Sequence, residues 1–190
     1  FILYGLFGEE RFGYFRKKRH AEAVKRVDMP GVHANSVPEN RVILPMVANQ
    51  IASLAEKVSG SAPVSGNDIT LLGDSKKFVA QLCADIERAR EEVHLLFFIY
   101  LDDASGKMVA DAMIEATKRG VTCRLLVDAV GSKIFLRSEL ARSLREAGVE
   151  VVGALPVNPV RMLFSRLDLR NHRKIAVIDG QIGYTGSNNL

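Results

Sequence analysis

The chain has 190 residues, 47% of them hydrophobic, and a formal net charge of +4. That length suits one domain with extensions, and the apolar content is enough for a real core. The two cysteines, Cys83 and Cys123, have no metal-ligand spacing and no secretion signal beside them. A disulfide scaffold is thereby excluded, and both read as buried thiols in a reducing compartment.

Residues 1–8, FILYGLFG, are apolar but too short to cross a bilayer, which takes about 20 residues. A basic cluster follows: Arg11, Arg16, Lys17, Lys18, Arg19, Lys25 and Arg26. Residues 1–27 therefore read as the end of a transmembrane helix with its basic juxtamembrane flank, Phe12, Tyr14 and Phe15 lying at the interface. A soluble amphipathic arm is the alternative. From Asp28 the composition turns to Pro, Gly, His, Asn and Ser, and residues 28–67 read as a linker. Within it Leu44, Val47, Ile51, Leu54, Ala55 and Val58 recur at helical spacing and predict an amphipathic helix over roughly 46–58, with Pro45 in its first turn. His20 and His33 stand in polar segments and read as solvated.

The folded domain is expected over 68–190. Ile69 to Leu72 predicts a short strand, and Ser75 a cap for the helix that carries Phe78, Val79, Leu82, Cys83 and Ile86. Val93 to Leu101 is nearly all apolar, which predicts a central strand buried on both faces, with His94 a core or strand-end histidine. Met108, Val109, Ala112, Met113 and Ala116 form the next helical face, closed by Gly120. A third strand over 121–127 leads through the loop DAVGS to a helix through Leu136, Leu140 and Leu144 to Gly148, then a fourth strand over 149–152. This β-α alternation predicts an α/β sandwich with a mostly parallel mixed sheet. Ligands gather at the carboxyl ends of such strands, where Asp102, Asp103 and Asp128 lie; each could equally be a helix cap or loop acid. Residues 155–170 read as an irregular loop whose Met162, Leu163 and Phe164 either rim a site or pack under the sheet.

The last twenty residues, NHRKIAVIDGQIGYTGSNNL, predict a β-hairpin turning at Asp179-Gly180. A two-residue turn there pairs Lys174 with Thr185 and His172 with Ser187. That register puts His172, Lys174, Thr185, Ser187 and Asn189 on one face. A histidine nitrogen, a cation, hydroxyls and an amide together suit a phosphate or phosphodiester, and no metal-ligand set accompanies them. Asp179 lies five residues from Lys174, roughly 16 Å at ~3.3 Å per residue, and reads as the turn residue that bonds nearby backbone amides.

At His172, Lys174, Asp179, Gly186, Ser187 and Asn189 the chain resembles the phospholipase D superfamily, whose signature is His-x-Lys-x4-Asp-x6-Gly-Ser-x-Asn. It is most similar there to bacterial cardiolipin synthases, through the basic stretch, SGSAPVSGNDITLLGD, HLLFFIYLDDASG, LLVDAVGS and RNHRKIAVIDG. Gly186-Ser187 stands where many of those enzymes carry Gly-Gly. The resemblance implies a first phospholipase D-like half-domain with catalytic His172, Lys174 and Asp179 and phosphate-binding Ser187 and Asn189, needing neither cofactor nor metal. It implies a phosphatidyltransferase that joins two phosphatidylglycerol molecules into cardiolipin and glycerol through a phosphatidyl-histidine. A bacterial inner-membrane location, with the catalytic domain on the cytoplasmic side, goes with that activity, and a nucleic-acid partner does not. A second signature half-domain would lie beyond Leu190; on that expectation the chain is a fragment, inactive alone. The alternatives are a phospholipase D or phosphatidylserine synthase relative, and a one-signature nuclease acting as a dimer.

Overall fold

The computed structural model describes residues 42–59, 63–155 and 170–190. The chain divides into two units, one up to Thr70 and one from Leu71. In the first, helix α1 spans Met46–Ser59 directly after Pro45, where the apolar spacing predicts it. Its stripe of Val47, Ile51, Leu54 and Val58 is exposed. The expected juxtamembrane segment, residues 1–27, lies outside the described residues, and no described helix is long and apolar enough to cross a membrane.

The second unit runs α2 (Ser75–Arg88), β1 (Glu92–Phe97), α3 (Ala104–Lys118), β2 (Thr122–Asp128), a 3₁₀ turn (Phe135–Arg137), α4 (Glu139–Glu146), β3 (Glu150–Ala154), β4 (Lys174–Ile178) and β5 (Ile182–Gly186). The strand expected at Ile69 to Leu72 is absent. Ile69 and Leu71 are 88% and 93% exposed, and among the described residues no strand pairs with that segment. A strand pattern without a partner leaves its amides to water. The helix caps are side chains: Asp74 accepts from Lys77 N, Asp103 from Gly106 N, and Ser138 from Ala141 N. The first of these is one residue earlier than the predicted Ser75.

The five strands form one mixed sheet in the order β3-β2-β1-β4-β5. β1, β2 and β3 are mutually parallel, joined by helical crossovers; β4 runs antiparallel to β1, and β5 to β4. Val93, Leu95, Phe97, Cys123, Leu125, Val127, Ala176 and Ile178 point into a single core together with residues from α2, α3 and α4. The helices that share this core lie on one side of the sheet. β1 is therefore buried on one face and only half-buried on the other, at Glu92, His94 and Leu96, instead of buried on both. On that second side His94 sits against Arg124 at 2.8 Å and Glu92 at 3.3 Å, in a polar ribbon rather than in the core. Cys83 and Cys123 are free and buried, and burial pushes both thiols up to about 11.

The hairpin register differs from the predicted one by a residue. Lys174 pairs with Gly186, Ile175 with Thr185 and Ile178 with Ile182, leaving Gln181 as an extra residue on the β5 side. Asp179 and Gly180 do take positive φ, 51° and 63°, and Gln181 N donates to Ile178 O across the turn. The reason for the shift is burial. In this register Tyr184 faces the core side with Ala176 and Ile178, where its ring meets Phe78 edge-on at 5.9 Å. Its hydroxyl bonds the buried carboxylate of Asp85, which also takes Arg88 and Gln81. A slip of one residue would turn Tyr184 to the other face. Thr185 consequently shares a face with Ile175 and not with Lys174.

Replacing Tyr184 by Phe keeps the ring packing and removes this bond to an ionised group. The expected cost is about 1.5–3 kcal/mol, read as a lower urea midpoint with an unchanged m-value.

Candidate active site

The site residues sit at the ends of strands, where loop contacts rather than strand alternation decide which way they face. His172 is exposed, two residues before β4, and its imidazole stacks on the ring of Phe98, just past β1, with centroids 4.0 Å apart and planes 18° from parallel. Lys174 opens β4, and its Nζ lies 5.7 Å from the centre of the same ring and donates to His172 O at 2.7 Å. One aromatic ring thus gathers the two residues that the motif singles out. Asn189 is tied to the residue after Phe98: its Oδ1 accepts from Ile99 N at 3.1 Å. A backbone N–H requires oxygen as its partner, so the Asn189 amide nitrogen is left as the donor end. Leu190 extends this seam, its N donating to Ile99 O and its O accepting from Leu101 N. Ser187 lies in the exposed bend between β5 and Asn189.

The loop after β2 fastens the end of β1 beneath this group. Ser132 Oγ donates to Phe98 O at 3.2 Å and accepts from Tyr100 N at 2.9 Å. Gly131 packs so closely that a Cβ there would lie 2.5 Å from Phe98 O, which leaves room for no other residue. Asp128 shapes the loop by accepting from Val130 N and Gly131 N. Its carboxylate also takes Arg170 Nε at 2.7 and 2.9 Å, and Arg170 donates to Leu155 O as well. The pair is nearly enclosed, with side chains 10% and 3% exposed. It pins the chain two residues before His172.

Asp179 is at the opposite end of β4. Its carboxylate accepts from Arg90 N, Glu91 N and Glu92 N, each at 2.9 Å, and its own N donates to Glu92 O. Those amide bonds hold its carboxyl below the usual carboxylate range. The amides are not local to the turn, as the sequence suggests, but belong to the entry of β1.

Of the three candidate acids, Asp102 pairs with Lys107, Asp103 caps α3, and Asp128 belongs to the loop and Arg170. The cap or loop reading holds for all three. Sequence reasoning missed Phe98, Ser132 and Arg170. Phe98 lies where a strand's carboxyl end meets a site, and Arg170 lies two residues from the motif histidine. Neither position reveals its contact without the fold. Among the described residues no cluster of His, Cys, Asp or Glu could hold a metal.

An α/β domain that sets a histidine and a lysine on one ring beside an amide donor has the makings of a phosphate-handling centre. Residues 82–190 match the model of the phospholipase D-like domain of cardiolipin synthase, and the chain belongs to that family. Curated relatives named cardiolipin synthase A, from Citrobacter koseri and Salmonella arizonae, are each 42% identical over 144 residues, covering 76% of this chain. The matched part is 30% of each relative, so the chain spans less than a third of their length. Among solved structures, NucT from Helicobacter pylori gives a TM-score of 0.46 at 17% identity over 65% of this chain and 74% of that one, a likeness too distant to bear on activity.

Two stability measurements probe this frame. Arg170→Ala strands the enclosed Asp128 carboxylate and should cost about 3–5 kcal/mol in urea unfolding. Asp179→Asn should lower Tm at neutral pH. Because the Asp179 carboxyl is depressed in the fold, its contribution is full above the ordinary aspartate pKa of about 3.9 and fades as pH falls through the folded value. The gap in Tm between parent and variant should therefore close only below about pH 4.

Proposed function

We propose that this chain supplies the first half of a cardiolipin synthase-type phosphatidyltransferase centre, with His172 as its nucleophile. The observation that carries the reading is the exposed His172 imidazole held beside Lys174 on the Phe98 ring, within the family-matched segment. In the reaction, an imidazole nitrogen of His172 attacks the phosphorus of phosphatidylglycerol. The P–N bond forms, the P–O bond to the headgroup glycerol breaks, and the glycerol oxygen takes a proton from an acid. A hydroxyl of a second phosphatidylglycerol then loses its proton and attacks the same phosphorus. The P–N bond breaks, giving cardiolipin and free histidine.

Lys174 balances charge on the non-bridging oxygens, once its ammonium turns from His172 O to the phosphate. The Asn189 amide nitrogen adds a neutral donor, and Ser187 a hydroxyl beside it. Asp179 acts through the sheet, not on the phosphate. Its three amide bonds and its place at the far end of β4 support that role. The proton donor is a second histidine supplied by a second signature outside this chain, and the centre works at the cytoplasmic face of a bacterial inner membrane.

The experiment uses the full-length protein and phosphatidylglycerol labelled in its phosphate. The parent should accumulate label on the protein and release cardiolipin, and His172→Ala should do neither. Undiminished protein labelling in His172→Ala would sink the assignment. Label released as phosphatidic acid, with no cardiolipin, would move the reading to a phospholipase D.

A further inference from the structure

We propose that Phe98 is a positioning residue for His172, fixing the plane of the imidazole so that a ring nitrogen, and not the ring face, meets the phosphorus. The inference deepens the functional reading above and rests on it. An exposed histidine ordinarily turns about two side-chain bonds, and an attacking nitrogen must be aimed along the line to phosphorus. Here the near-parallel stack at 4.0 Å removes rotation that would carry the imidazole out of that plane, while rotation within the plane keeps both nitrogens at the ring edge.

The stack can orient only if Phe98 is itself immobile, and its backbone is. Ser132 Oγ holds Phe98 O, Gly131 packs on the same carbonyl, and Asn189 Oδ1 holds the next amide, Ile99 N. On the other side the chain leading to His172 is set by Arg170, two residues upstream, on the enclosed Asp128 carboxylate. Ring and imidazole are thus both fastened to the loop after β2, the ring through Ser132 and Gly131 and the chain leading to the imidazole through Arg170 on Asp128, and they meet face to face. The same ring lies under the Lys174 ammonium, so its negative face also steadies the cation before phosphate arrives. A packing role alone would ask only for bulk at position 98. An orienting role asks for a flat ring.

The test compares Phe98→Leu and Phe98→Tyr in the full-length protein. Single-turnover formation of phosphatidyl-histidine should fall by about 10²-fold in Phe98→Leu, while the phosphatidylglycerol concentration giving half-saturation stays unchanged. Phe98→Tyr, which keeps the face, should remain within a few-fold of the parent. Independently, the ring protons of His172 should be shifted upfield by the Phe98 ring current in the parent's NMR spectrum and in Phe98→Tyr. They should return to ordinary positions in Phe98→Leu. The signals of His172 are identified by their loss in His172→Ala. His172 signals at ordinary positions in the parent would overturn the stack whether or not the protein is active. Parent-like attack rates in a Phe98→Leu variant whose ring shift is lost would overturn the positioning role and leave the functional reading standing. Absence of phosphatidyl-histidine in the parent would fell the functional reading, and the positioning role with it, even with the stack seen by NMR.

Discussion

The carboxylate of Asp179, accepting three successive backbone N–H groups, is the joint on which the rest of this domain depends. Those amides, at Arg90, Glu91 and Glu92, bring the chain from α2 into β1, whose first residue is Glu92. An ionised acceptor makes each such bond stronger than a neutral one. With Asp179 N donating to Glu92 O, the hairpin tip is fastened to the start of the central strand on both of its polar sides. Once that end is fixed, the pairing of β4 on β1 follows residue by residue. Leu95 then faces Ala176 and Leu96 faces Ile175, so His172 arrives beside Phe98 at the other end.

β4 thus separates two kinds of demand. Its far end carries a carboxylate whose bonds are all satisfied inside the fold and whose charge serves stability. Its near end carries an exposed imidazole and an ammonium held by a carbonyl and a ring, groups free to exchange their partners for a ligand. The four residues between them, 175–178, keep the anionic carboxylate roughly 16 Å from Lys174, too far for a direct contact with the same phosphate. The order His, Lys, Asp in the motif therefore spans a whole strand.

The loops at the carboxyl ends of the strands follow the same logic. Asp128 spends its oxygens on two loop amides and on Arg170, and so ties the end of β2 to the chain that delivers His172. Ser132 and Gly131 tie that loop to β1. The result is a set of short, mostly backbone-directed bonds around one ring, which leaves little freedom to the residues that stand on it. Tyr184 and Asp85 do the corresponding work for β5 by anchoring the outer strand under α2.

Much of this was legible in the residues alone. Apolar spacing located the helices, because one helix face recurs every 3.6 residues, although the stripe of α1 is exposed and the helix read through Leu136 to Gly148 is a 3₁₀ turn at Phe135–Arg137 followed by α4. The run from Asn171 to Asn189 named the hairpin and its Asp-Gly turn. Only the assembled fold could decide the rest. Ile69 to Leu72 has a strand's composition, but a strand exists only with a neighbour. The register of β5 was settled by the burial of Tyr184 against Asp85, a contact across 99 positions that no local turn rule contains. Phe98, Ser132 and Arg170 carry no signal of their own, since each acts through a partner dozens of residues away. Local chemistry was written in the sequence; which side chains met was a matter of three-dimensional closure, and closure is a property of pairs.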